Sequence, residues 1–195
     1  MYHRFQGGMD RDFLGEYGVA ALPVSLDWGQ EGEIISIDAA AHTTRFEANF
    51  GYARSRLLLI NEALKRAKKL LMYRVDKGGV KATLDLTADV PLIAHAVHPG
   101  TRGNSIAVQV ALSPKADGTS IVSPVVDGIT KFEQTGITEA NQVEDNIWVT
   151  LEKLQPPGPD ANTSAAGGIL TGGNNGPSTV ADYCPFPDAL APERF

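Results

Sequence analysis

Two alternating segments meet at the turn His98-Pro99-Gly100-Thr101-Arg102-Gly103-Asn104, and their meeting constrains the fold more than any other stretch of the chain. After the turn Ile106, Val108, Val110 and Leu112 point one way while Ser105, Ala107, Gln109 and Ala111 point the other, the period-two pattern of a half-buried strand. Before it, Leu92, Ala94, Ala96 and His98 alternate against Ile93, His95 and Val97. Pro99 fixes its own φ, and Gly100 and Gly103 accept backbone angles closed to other residues, so the pair reads as a β-hairpin with a longer loop.

The rest of the chain divides around this stretch. Residues 18 to 26 form a near-continuous apolar run, a buried strand stopped by Asp27-Trp28-Gly29, and 33 to 37 reads as a second, short strand. Asp38 stands at an N-cap position ahead of Ala39-Ala40-Ala41, and Ser55 is placed to cap a stronger helix over 56 to 68. In that helix Leu57, Ile60, Leu64 and Ala67 share one face, and Glu62 and Arg66 form an i, i+4 pair on the other. Leu70-Leu71-Met72-Tyr73-Arg74-Val75 follows as another apolar strand, stopped by Asp76-Lys77-Gly78-Gly79. Strand, helix and strand with such short joins is a βαβ-type crossover, which implies a parallel sheet.

From Val80 onward the pattern changes to short strands over 81–86, 91–98, 105–112, 121–126, 129–134 and 147–153, with Asp127-Gly128 as a two-residue hairpin turn. Such a series predicts a small antiparallel β-sandwich or barrel able to close its own core. Gln155-Pro156-Pro157-Gly158-Pro159-Asp160 through Gly167-Gly168 is a linker by composition, unable to sustain a helix or a ladder. Thr171-Gly172-Gly173-Asn174-Asn175-Gly176 is a loop, and Thr179 is placed to cap a helix starting at Val180.

Composition narrows the function. With 195 residues, 43% of them hydrophobic, the chain can bury a real core. It has no run approaching the roughly 20 apolar residues of a membrane span, and its first residues lack a signal peptide's apolar centre, so cytoplasmic synthesis is the expectation. A net charge of −6 argues against a dedicated nucleic-acid binder. The basic cluster Lys65-Arg66-Lys68-Lys69 instead closes a helix, where cations meet the negative end of the dipole. The lone Cys184 excludes an internal disulfide and reads as a small buried side chain.

No constellation of catalytic residues emerges. His95 and His98, three apart on a strand, point to opposite faces and cannot share one ion. The Gly172–Gly176 stretch lacks the Lys-Ser/Thr of a phosphate loop, since Pro177 follows it, and Gly100-Thr101-Arg102-Gly103 lies outside a strand-to-helix join. There is no Gly-x-Ser-x-Gly elbow. Asp27, Glu31 and Glu33 read as a charged turn. No catalytic residue, cofactor-binding residue, metal ligand or cofactor is therefore assigned.

One family resemblance runs through these features. Gly18-Val19-Ala20-Ala21-Leu22-Pro23-Val24-Ser25-Leu26-Asp27-Trp28-Gly29 and Leu57-Leu58-Leu59-Ile60-Asn61-Glu62-Ala63-Leu64-Lys65 are followed by Lys81-Ala82-Thr83-Leu84 with Pro99-Gly100-Thr101-Arg102-Gly103-Asn104-Ser105-Ile106. Leu170-Thr171-Gly172-Gly173 with Ala181-Asp182-Tyr183 comes last. In this order they resemble the tail sheath proteins of contractile bacteriophages and prophages.

The resemblance implies an N-terminal arm at 1–16 and the first part of an α/β sheath domain at 17–79. An inserted small antiparallel β-sandwich domain at 80–155, a linker at 156–168 and re-entry into the α/β domain at 169–195 follow. It further implies that the family's larger subtilisin-like domain continues well beyond Phe195, so that the chain reads as the N-terminal part of a sheath subunit lacking most of that domain. Pro185 and Pro187 stand where the family has a continuing helix, and proline costs a helix interior about 3 kcal/mol.

The function implied is non-enzymatic: a structural subunit that stacks in rings of six around a tail tube and contracts to drive the tube through a host envelope. Its partners would be other sheath subunits and the tube protein, with no nucleic acid and no membrane insertion. It would reside in the bacterial host cytoplasm during assembly and then in the virion tail or an injection particle. The alternative class is a ligand- or carbohydrate-binding β-sandwich with an α/β appendage, for which the exposure of Trp148 is a discriminator.

Overall fold

The computed structural model describes residues 18–38, 60, 62–115, 118–139, 142–154 and 165–191. These residues are mostly strand, arranged in three small sheets. The first sheet contains β1 (Val19–Val24), β2 (Ile34–Asp38) and β3 (Lys69–Arg74) in the order β1-β3-β2. β1 runs parallel to β3 and β2 antiparallel to it. As the central strand β3 is covered on both faces, and every residue from Leu70 to Arg74 is buried, which explains its unbroken apolar run.

Ile60 and residues 62–64 are helical. Ile60, Leu70, Met72, Val24, Leu26 and Ile37 form a core on one face of this sheet, with Ala63 and Leu64 packed against it. Glu62 makes its ion pair with Lys65, one position earlier than the spacing predicted. The cap predicted at Ser55, the alanine-rich helix and Leu57 of the stripe fall outside the described residues, while Ile60 and Ala67 are buried and Leu64 packs on the core; Asp38, predicted to cap a helix, is the last residue of β2.

The remaining strands build a second core. β5 (Leu92–Ala96) lies between β4 (Thr83–Asp85) and β10 (Val149–Lys153). β6 (Ile106–Leu112) lies between β7 (Ser120–Val126) and β11 (Ala166–Ile169), and β7 also pairs β8 (Ile129–Thr130) and β9 (Gln134–Ile137). Leu92, Ala94, Ala96, Val149 and Leu151 from one sheet face Ile106, Val108, Val110, Val122 and Val126 from the other. The Asp127-Gly128 turn joins β7 to β8, with φ of 53° and 76°, the left-handed pair that a tight hairpin demands.

Three sequence expectations fail for physical reasons. The strands flanking the turn at 98–104 are not a hairpin: β5 and β6 belong to different sheets, and the chain crosses from one to the other through a 3-10 turn, Thr101–Ser105. Gly167 and Gly168, expected to sustain no ladder, form β11, because β6 supplies the hydrogen-bonding edge that their own propensity does not. The sandwich core is not confined to the later part of the chain either, since Trp28 and Leu170 are both part of it.

After β11, residues 180–183 make a 3-10 turn, and Asp182 accepts hydrogen bonds from both the N–H and the hydroxyl of Thr179 at 2.7 Å. Pro185 and Pro187 sit in the first turn of a new short helix, Pro185–Leu190, where a missing N–H costs nothing. Cys184, expected to be buried, is exposed.

Candidate functional site: a buried arginine between two cores

The apolar strand β3 ends in a charge, and that charge sits where the two cores meet. Arg74 is 0% exposed. Its Nη1 donates to the carbonyl of Gly29 at 2.6 Å and to that of Pro99 at 2.7 Å, tying the loop after β1 to the turn after β5. Nε faces Asp76 Oδ2 at 3.5 Å, and the same carboxylate oxygen accepts the N–H of Leu26 at 2.7 Å. Burial lowers the pKa of the guanidinium, while the charges of Asp76, Glu31 and Asp27 oppose that shift. Glu31 clamps the next turn, its two oxygens accepting the N–H groups of Gly78 and Gly79 at 3.1 and 3.0 Å.

The turn at 98–104 is seated on the same loop. Arg102 N–H donates to the carbonyl of Asp27 at 3.0 Å, and Gly100 N–H to that of Val80 at 3.2 Å. Gly100 has φ 139°, and a Cβ there would lie 2.0 Å from the Asp27 carbonyl oxygen. Only glycine allows this approach. The Arg102 guanidinium grips Asp127 with two nitrogens, which holds the Asp127 carboxyl below the usual range.

A fourth segment, 170–176, closes the arrangement. Asn104 exchanges two hydrogen bonds of 2.8 Å with Gly173, using its side-chain amide as a strand would use its backbone. Asn175 Oδ1 accepts the N–H and the hydroxyl of Thr101. Val80 and Asn174 pair through their backbones, as do Thr83 and Thr171.

Aromatic rings fill the seam between these loops. Trp28, fully buried, lies 5.9 Å from Trp148 and 5.3 Å from His98, whose ring stands at 85° to it. Trp148 is 4% exposed. Burial, with the nearby Lys81 and Arg74 cations, pushes the His98 imidazole down to about 4. The ring borders an open cleft of about 400 Å³ lined by Gln30, Glu31, Lys81, Val97, His98 and Pro99.

The structure thus separates His95 from His98: His95 meets Glu152 at 3.0 Å on the sheet, and His98 belongs to the seam. Among the described residues no group of three or more His, Cys, Asp or Glu is placed to hold a metal ion. The polar groups of the joint hold loops together, and the glycine-rich stretch 172–176 is turn and bridge. Arg74 was hidden in the sequence; the signal that would have found it is an arginine at the end of a run as apolar as Leu70-Leu71-Met72-Tyr73, two residues before an aspartate.

Three of the four matches quoted for the resemblance converge here: residues 26–29, 81–84 with 99–106, and 170–173 contribute to one joint, while 57–65 serves the first sheet's core. Comparison with known proteins follows that geometry. Residues 18–75 match the tail sheath protein Gp18 domain III N-terminal region. The phage-like element PBSX protein XkdK of Bacillus subtilis is 30% identical over 95% of this chain. The solved sheath tail protein of Desulfitobacterium hafniense superposes on 97% of it with a TM-score of 0.76 at 31% identity.

The chain belongs to the phage tail sheath family. A second solved sheath tail protein, from Listeria innocua, agrees with a TM-score of 0.78, 28% identity and 93% coverage of this chain. The uncharacterized Bacillus subtilis protein YqbK is 29% identical over 95%. This sheath-family chain spans 42% of the length of both curated relatives, and 42% and 40% of the two solved chains.

Proposed function

We propose that the chain serves as a structural subunit of a contractile tail sheath, polymerising with further sheath subunits in rings of six around a tail tube and shortening to drive that tube through a host envelope. The observation that carries this reading is the match of 97% of the chain, joint included, to a sheath tail protein. A role of this kind stores its energy in contacts between subunits, so the chain needs a stiff body more than a reactive site. The clamp of Arg74 and the buried Trp28 supply such stiffness between the two cores.

In this reading 17–79 and 169–195 belong to an α/β, βαβ-type domain, supported by the parallel pairing of β1 with β3. Residues 80–155 are the sandwich inserted into it, completed by β11; the linker after 155 ends before that strand begins at Ala166, and 1–16 form an arm. The function is structural and non-enzymatic, no nucleic acid or membrane insertion enters it, and assembly takes place in the host cytoplasm before the chain becomes part of a tail. No helix among the described residues is long and apolar enough to cross a membrane.

Negative-stain electron microscopy of the chain co-expressed with the tube protein encoded beside it tests the proposal. Rings or stacks of uniform diameter around tubes are expected. Bare tubes with dispersed protein would set the reading aside.

A further inference from the structure

His98 places a titratable ring inside the seam between the two cores. Arg74 of β3 and Lys81 of the segment before β4 bring positive charge to it. From the loop after β1 come Glu31, with both oxygens engaged by Gly78 and Gly79, and Asp27; Asp76 follows β3 and faces Arg74. Among the described residues no side chain hydrogen-bonds the His98 ring, whose contact is the edge-to-face one with Trp28. The peptide carbonyl one residue further on, that of Pro99, is held by Arg74. The ring therefore has an apolar partner when neutral and cationic neighbours when protonated.

We propose that this joint is an acid-sensitive latch: the neutral His98 ring keeps residues 97–100 seated on Trp28, and the protonated ring, repelled by Arg74 and Lys81, releases them. The cleft beside the ring gives water and protons access without prior unfolding. Release breaks the Arg74 bond to Pro99 and uncovers Trp28 and Trp148, loosening one core from the other. Glu31, Asp76 and Asp27 offset part of the Arg74 field, so the lost hydration of the buried ring and the Lys81 charge supply most of the force against its protonated form.

The direction with pH follows from linkage. A released ring titrates near 6.5 and the seated one near 4, so the released form binds the proton more tightly. The ratio of released to seated forms rises as pH falls from about 6.5, by roughly 160-fold at pH 4, and approaches a limit of roughly 300-fold below that.

The test is a titration of the whole chain from pH 7.5 to 4, followed by imidazole C–H proton resonances and by tryptophan fluorescence. The His98 resonance, identified by its loss in His98→Gln, should titrate well below 6, and the tryptophan signal should change reversibly with the same midpoint. In His98→Gln the tryptophan change over this range should disappear. Lys81→Met, which removes a repelling cation, should raise the His98 midpoint and weaken the release, moving the tryptophan transition to lower pH or shrinking it, and it carries the test alone if His98→Gln does not fold. A His98 midpoint near 6.5, a tryptophan transition unchanged in His98→Gln, or a His98 midpoint unmoved in Lys81→Met would each overturn the latch.

Discussion

Arg74 shows how much one residue can decide. A guanidinium taken fully out of water needs partners, and here Nη1 meets two loop carbonyls and Nε faces the Asp76 carboxylate as an ion pair. Removing the side chain takes the guanidinium from those carbonyls and leaves Asp76 buried without its cation, holding the Leu26 N–H. Arg74→Met is therefore expected to lower stability by about 3–5 kcal/mol, the range for breaking a buried pair by losing one partner. Urea unfolding measures it, and a loss under about 0.5 kcal/mol, the size expected of a surface change, would show that the clamp contributes nothing. The sequence did not disclose this residue because the acceptors it answers to are distant: Gly29 and Pro99 are 45 and 25 positions away.

At the scale of elements, legibility tracked how local the cause was. The Asp127-Gly128 turn could be read directly because two neighbouring residues determine its backbone, and the buried strand β3 because its apolar run declares two covered faces. The relation of β5 to β6 could not, since alternation shows which residues face a core and is silent on which strand pairs with which. β11 was invisible for the same reason: its ladder is imposed by β6.

The two glycines of β11 differ in a testable way. A Cβ on Gly167 would meet the Val108 carbonyl oxygen at 2.9 Å and Gln109 Cα at 3.3 Å, which is backbone, whereas one on Gly168 would meet only the Leu84 side chain, nearest at 3.0 Å. Gly167→Ala should cost about 1–3 kcal/mol as an overpacked contact, and Gly168→Ala less than about 1 kcal/mol because Leu84 can turn aside. Hydrogen exchange at the Leu170 N–H, bonded to the Ile106 carbonyl, reports on this edge. Equal protection in the two variants would remove the distinction.

For the whole molecule, the sequence suggests a sandwich at 80–155 that closes its own core, and the structure assigns that core contributions from outside it. Trp28 arrives from the loop after β1, Leu170 from beyond β11, and β11 covers the edge of β6. Truncating a buried tryptophan costs about 3–5 kcal/mol and a buried leucine about 2–5 kcal/mol, while a whole domain of ordinary size is stable by only about 5–15 kcal/mol. A fragment of residues 80–154 lacks both side chains and leaves the edge of β6 unpaired, so it should lose most of its stability. The expected result is near-UV circular dichroism that is weak and featureless at 25 °C and digestion by trypsin far faster than the same residues undergo within the whole chain. Cooperative unfolding of the fragment with the full chain's midpoint would show that the sandwich stands alone and that the joint adds nothing to it.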